Sequence, residues 1–182
     1  MKTKSSSHNK KNHKIVAETK NLTKIYRIGK MEFPALIDVN IKIEENEFIS
    51  IVGPSGSGKS TLLNLLGTLD RPTEGSVMID GVDTSKMNPD KLAQIRNRNI
   101  GFIFQSYNLI NRTTVLRNLE LPAMVRGITE ESRRKRAHEL LGLVGINELA
   151  LRKPTSLSGG QQQRVAVARA LINKPAIILA DE

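Results

Sequence analysis

The stretch GPSGSGKST, from Gly53 to Thr61, constrains this chain more than any other. It follows an apolar run, EFISIV (47–52), and precedes a segment, residues 59–68, that reads as a helix. Gly53, Gly58, Lys59 and Ser60 fit G-x-x-x-x-G-K-[ST] in the strand–loop–helix setting that gives the pattern its meaning. Glycines permit positive φ and let backbone N–H groups close on phosphate oxygens. A helix beginning near Lys59 aims the positive end of its dipole at the same place. Lys59 can reach the β- and γ-phosphates, and the Ser60 hydroxyl can ligate Mg2+. Pro54, Ser55, Gly56, Ser57 and Thr61 complete the expected cradle. The loop predicts a nucleoside triphosphate as ligand, but by itself it does not say what the nucleotide drives.

The rest of the chain predicts an α/β fold. At 182 residues it is long enough for one domain with a sizeable core. With 3% aromatic residues, that core must be aliphatic. Residues 15–28 read as an edge strand and turn. LIDVNIKI (36–43) alternates, as a half-buried strand does, while EFISIV reads as a strand buried on both faces. GSVMIDG (75–81) is a short strand between glycines, 90–98 a helix with Pro89 near its start, and IGFIF (100–104) another buried strand. From Gln105 to Ser156 no good strand is seen. Leu116, Leu119 and Leu121 mark a helix closed at or soon after Pro122, and Ser132–Val144 a second. Residues 159–173 form a third helix, apolar nearly all round. AIILA (176–180) returns to strand character. Strands alternating with helices argue a largely parallel sheet.

Charge and composition exclude more than they assign. No apolar run approaches the roughly 20 residues a membrane helix needs. The basic N-terminus lacks the apolar segment of a signal peptide. Cysteine is absent, so disulfides and cysteine-ligated metals are excluded. Of the net charge of +10, five lysines lie in Met1–Lys14, a polar stretch with no apolar anchor. It reads as a disordered, solvated tail, although such an arm can also touch nucleic acid or anionic lipid.

Two further segments carry chemistry. In AIILADE (176–182), Ile177–Leu179 would form a strand beside the phosphate-loop strand and deliver Asp181 to its carboxyl end, where ligands sit in open α/β sheets. Asp181 can then hold Mg2+ opposite Ser60, and Glu182 can orient or deprotonate an attacking water. In LSGGQQQRVAVARAL, beginning at Leu157, Ser158 is a good N-cap, and Gly159 and Gly160 leave the helix start open to an anion. A second phosphate-binding terminus is rarely needed for one nucleotide. Two chains head-to-tail would use it, each offering this end to the nucleotide on the other's loop.

Taken together, GPSGSGKS, LSGGQ (157–161) and IILADE resemble the ATP-binding cassette (ABC) ATPases across residues 15–182. The resemblance implies a P-loop NTPase core with an antiparallel β subdomain and a helical subdomain at about 106–158. It implies ATP and Mg2+ as ligands, and a head-to-tail dimer using Ser158, Gly159, Gly160 and Gln161. It implies a transmembrane permease as partner, at the cytoplasmic face of the membrane, with no specific nucleic acid expected. Lys59, Gln105 and Glu182 would be catalytic, with Ser60, Gln105 and Asp181 at the metal. Tyr26 matches the aromatic residue that stacks on adenine. SIVGPSGSGKSTLLNLLGTLDRPTEG, IGFIFQSYNLI and LSGGQQQRVAVARAL look like the lipoprotein-release and macrolide-export branch, with the cell-division ATPase close by.

The family continues past the glutamate with a D-loop, more core strands and a switch histidine. His8, His13 and His138 do not match the last of these. The expectation is a cassette cut after Glu182, binding ATP weakly and turning it over poorly alone. The weaker alternatives are a soluble cassette protein acting on nucleic acid and a non-catalytic fragment.

Overall fold

In the computed structural model, which describes residues 2–5 and 14–181, the chain divides into two units, Met1–Ile95 and Arg96–Glu182. The first unit opens with a short strand, β1 (Lys2–Ser5), followed by two strands of 14 residues each, β2 (Ile15–Ile28) and β3 (Met31–Glu44). These two form an antiparallel hairpin closed by Gly29 and Lys30, with Gly29 at φ +62° supplying the positive φ that a tight two-residue loop requires. After β4 (Ile49–Val52) and helix α1 (Lys59–Leu66) comes β5 (Glu74–Ile79), which turns through Asp80 and Gly81 into β6 (Val82–Asp83). Helix α2 (Pro89–Asn99) follows; the Asn88 side chain accepts from the Lys91 N–H at its start.

The main sheet of this unit has the order β3–β2–β5–β6, antiparallel throughout. It therefore corrects two expectations: the pairing is not largely parallel, the only parallel ladder among the described residues being the one between residues 100–103 and 177–180, and β2 is an interior strand, paired with β3 on one side and with β5 on the other. Nothing local to residues 15–28 announces a partner more than 50 residues downstream. The half-buried alternation expected of β3 is present, with Val39, Ile41 and Ile43 partly buried between exposed polar neighbours. Helix α1 presents Leu62, Leu65 and Leu66, the i, i+3, i+4 face, to the sheet's buried Leu36, Val77 and Ile79.

The run at 47–52 is not buried on both faces: within β4 Ser50 and Val52 are exposed, and Phe48, just before the strand, is 86% exposed. The ladder partner of β4 is β1, antiparallel, so Lys2–Ser5 is a strand and not part of a free tail. Unpaired N–H and C=O groups along an open strand edge recruit any backbone that can reach them. Residues 6–13, the remainder of the expected tail up to Lys14, lie outside the described residues, as does Glu182.

The second unit holds β7 (Ile100–Ile103) and β8 (Ile177–Ala180), paired in parallel, Ile103 opposite Ala180. The adjacency expected between residues 176–180 and the phosphate-loop strand is not among the hydrogen-bonded ladders; β7 is the partner β8 takes. Between them lie α3 (Val115–Val125), α4 (Glu130–Leu143), two single-turn 3-10 segments and α5 (Gly159–Leu171), with no strand. Leu116, Leu119 and Ala123 of α3, Ala137, Leu140 and Leu141 of α4, and Val165 and Ala168 of α5 form one aliphatic core.

Pro122 does not end α3. The helix runs three residues beyond it, so the expected close comes only at Val125. The hydrogen bond that proline cannot make is the one to the Asn118 carbonyl one turn earlier, while its own carbonyl accepts from the Arg126 N–H, Asn97 Nδ2 and Asn173 Nδ2.

Candidate nucleotide site

The phosphate loop is shaped by two left-handed glycines, Gly56 at φ +78° and Gly58 at φ +86°. Gly58 is the N-cap of α1 and is required twice over. Its φ disfavours any side chain, and a Cβ there would stand 2.6 Å from the Ala35 carbonyl oxygen. Lys59, the first residue of α1, turns its ammonium back over the loop and donates to the Gly53 and Pro54 carbonyls, each at 2.9 Å. The Ser57 backbone N–H donates to the Pro54 carbonyl, while the buried Ser57 hydroxyl has no hydrogen-bond partner. A buried orphan hydroxyl next to a cation held only by backbone carbonyls suits an anion. Thr61 continues the first turn of α1.

Tyr26 belongs to the same unit. It pairs across the hairpin with Phe33, two residues from the Ala35 carbonyl that abuts Gly58. Two strand residues span about 7 Å, so the hairpin sets Tyr26 close to the loop. Its hydroxyl donates to Asp70 Oδ2 at 3.0 Å, and the Lys24 ammonium lies 4.9 Å from its ring centroid. Burial alone would push the Asp70 carboxyl up; hydrogen bonds from Lys24, the Arg71 N–H and Tyr26 outweigh it and hold the group below the ordinary carboxylate value. A depressed carboxylate stabilises the fold above its unfolded-state value and loses that contribution as pH falls through the native one. Asp70 therefore contributes in full at neutral pH, and that contribution is lost only as pH falls below the ordinary carboxylate range.

In the second unit, the parallel pair β7–β8 sends two expected site residues out of one end. The Asp181 N–H donates to the Ile103 carbonyl at 3.0 Å, extending the ladder past Ala180, and Gln105 follows two residues beyond Ile103. The start of α5 is closed by a reciprocal capping box: Ser158 Oγ accepts from the Gln161 N–H, and Gln161 Oε1 accepts from the Ser158 N–H at 2.9 Å. Gly160 faces open space, with nothing within 4 Å of a would-be Cβ. The end of the helix that the sequence marks for an anion is thus ordered and bare.

Three residues that sequence reasoning did not single out support these groups. Lys24 and Asp70 fix Tyr26. In the second unit, Arg169 of α5 donates to the Tyr107 carbonyl at 2.8 Å and to the Asn108 carbonyl at 2.6 Å. Tyr107 and Asn108 both have positive φ, so Arg169 clamps the strained turn that follows Gln105. Burial draws the Arg169 pKa below the usual arginine value. The available signal was a lone charge inside VAVARAL. For Asp70, 46 residues from Lys24, no local signal exists. Arg169→Leu leaves two carbonyls without their charged donor and is expected to destabilise the second unit by about 1.5–3 kcal/mol. Urea unfolding would measure this, and hydrogen exchange at residues 105–109 should accelerate with it; unchanged exchange there would refute the clamp.

The fold and the loop define a P-loop nucleotide-binding protein of the α/β class. The family model described as "ABC transporter" matches residues 36–182. An uncharacterized ABC transporter ATP-binding protein of Thermotoga maritima is 54% identical over 169 residues, 93% of this chain and 72% of the relative. The macrolide export ATP-binding/permease protein MacB of Hyphomonas neptunium is 52% identical over 165 residues, 91% of this chain but 26% of the relative. Among solved structures, the ATP-binding cassette MJ0796, a dimer in a post-hydrolysis state bound to ADP and Pi, superposes with a TM-score of 0.85 at 52% identity, covering 91% of this chain and 73% of that one. The chain belongs to the ABC transporter ATP-binding family.

Proposed function

We propose that this chain binds Mg·ATP at Gly53–Thr61 and hydrolyses it in a head-to-tail pair with a second cassette. The pair drives a membrane permease from the cytoplasmic face. No described helix is long and apolar enough to cross a membrane. The lipoprotein-release and macrolide-export branch is the nearest functional setting, supported by the likeness to MacB. Residues 15–182 act as one ATPase domain, with residues 106–158 as its helical subdomain.

The observation that carries this reading is the loop itself: two left-handed glycines, an orphan serine hydroxyl, and an ammonium poised over carbonyls at a helix start. In this reading Lys59 leaves those carbonyls for the β- and γ-phosphates. Backbone N–H groups from Gly56 to Thr61 take the remaining phosphate oxygens, and Tyr26 stacks on the base. Ser60, Gln105 and Asp181 offer the hard oxygen donors magnesium prefers, and no cluster of three or more His, Cys, Asp or Glu among the described residues offers a rival metal site. Magnesium, when bound, neutralises charge on the phosphates. Gln105 and Glu182 position water in line with the γ-phosphate, and Glu182 accepts its proton. Ser158, Gly159, Gly160 and Gln161 present their helix start to the partner's nucleotide.

Sedimentation of the chain with and without Mg·ATP, alongside phosphate release, tests the proposal. Mg·ATP should double the mass, and Gly160→Glu should abolish the doubling while the phosphate loop still binds nucleotide, because a carboxylate at that helix start would repel the partner's γ-phosphate. A chain that stays monomeric in saturating Mg·ATP would defeat the dimer reading.

A further inference from the structure

We infer that Lys24 and Asp70 are specificity-determining positioning residues: together they lock the Tyr26 ring so that one face is closed by a cation and the other is held ready for a nucleobase. The inference rests on the reading of Tyr26 as the base-stacking residue and adds what makes that residue competent.

A tyrosine near the tip of a hairpin ordinarily samples several rotamers, and ordering it on binding reduces affinity. Here the ring is held at two points. Its hydroxyl donates to Asp70 Oδ2 at 3.0 Å, and its face lies 4.9 Å from the Lys24 ammonium. Lys24 and Tyr26 stand two apart on β2 and so share a face of the strand. The ammonium is itself fixed, donating to Asp70 Oδ1 at 2.8 Å and to the Arg71 carbonyl at 2.7 Å, and the Lys24 side chain is only 12% exposed. A cation held this way cannot swing aside for a ligand, so it blocks its own side of the ring. Tyr26 remains 38% exposed, so the residue is not closed in by these contacts, and in this reading that opening is the face away from Lys24. The cation also draws electron density from the ring it covers, which favours stacking of an electron-rich purine on the far side.

Asp70 is held in turn by α1. The Asn64 carbonyl accepts from the Leu69 and Asp70 N–H groups, and the Asp70 carboxylate accepts from the Arg71 N–H at 2.7 Å. The helix that begins with Lys59 under the phosphates therefore ends in the turn that anchors the base platform. A helix of eight residues is about 12 Å long, and this rigid rod ties the two halves of a nucleotide site at a set separation.

The test compares Mg·ATP with Mg-tripolyphosphate, which engages the loop but has no base, by isothermal titration on the 182-residue chain. Tyr26→Ala should weaken ATP about tenfold, within the range for losing one aromatic–base stack, and leave tripolyphosphate unchanged. Asp70→Ala should weaken ATP about threefold to tenfold, also with no effect on tripolyphosphate. Tyr26→Phe, which keeps the ring and removes the tether, should fall between wild type and Tyr26→Ala. In the Tyr26→Ala background, Asp70→Ala should have no further effect, since no ring is left to position. If Tyr26→Ala leaves ATP affinity intact, the stacking reading itself is wrong. If Tyr26→Ala weakens ATP but Asp70→Ala acts equally in both backgrounds, or weakens tripolyphosphate as much as ATP, the stacking reading survives and the clamp is overturned.

Discussion

Lys59→Ala should lower affinity for Mg·ATP by about 10²-fold while leaving thermal stability nearly unchanged. The two effects separate because of where the ammonium sits. In the structure Lys59 donates to the Gly53 and Pro54 carbonyls. Those groups lie at an open loop where water can replace the lost donor, so truncation costs the fold little. With nucleotide present, the same ammonium would make charge-assisted hydrogen bonds to phosphate oxygens, each worth roughly 1.5–3 kcal/mol. Two such bonds, less the exchange of two carbonyl partners, amount to about 3 kcal/mol, or a factor of about 10². Titration with a fluorescent ATP analogue measures the first effect and a melting curve the second. A variant that melts far below wild type would show that the lysine is a structural brace for the loop, and retained affinity would remove it from the phosphate site.

Leu119→Ala should destabilise the second unit by about 2–5 kcal/mol, the range for a buried leucine whose cavity cannot collapse. Leu119 is fully buried at the meeting of α3, α4 and α5, among Leu140, Leu141, Val165 and Ala168. Its neighbours come from three helices with fixed axes, which limits relaxation into the void. Such a loss is a large fraction of the stability of an ordinary domain. Chemical denaturation followed by helical circular dichroism should show it. Because α5 carries Ser158 and Gly160 at its start and Arg169 further along, the same variant should loosen the turn at Tyr107–Asn108. A shift under 1 kcal/mol would mean that the helices repack freely.

The candidate site was legible to different depths. The phosphate loop was readable residue by residue because its chemistry is local: glycine φ, a lysine at a helix start and a preceding strand all lie within Gly53–Thr61. The Ser158 cap was readable for the same reason, although the reciprocal role of Gln161 emerged only in the structure. The partners of Tyr26 were not readable. Lys24 lies two residues away and shares its face, but Asp70 reaches it only because α1 folds the chain back onto β2.

By itself, then, the sequence determined what depends on short spacing: the loop, the helix caps, the strand at Ile177–Ala180 and the absence of strands between Gln105 and Ser156. Only the tertiary structure decided what depends on long-range pairing. It made β2 an interior strand, gave β8 the partner β7, and left Val52 of β4 and the preceding Phe48 exposed. It also carried α3 three residues past Pro122 and brought Asn97 and Asn173 to that proline's carbonyl. The physical reason is common to all of these. Backbone torsions and caps are set by neighbours along the chain, whereas ladder partners, burial and the satisfaction of orphan carbonyls are set by whichever distant segment the fold brings alongside.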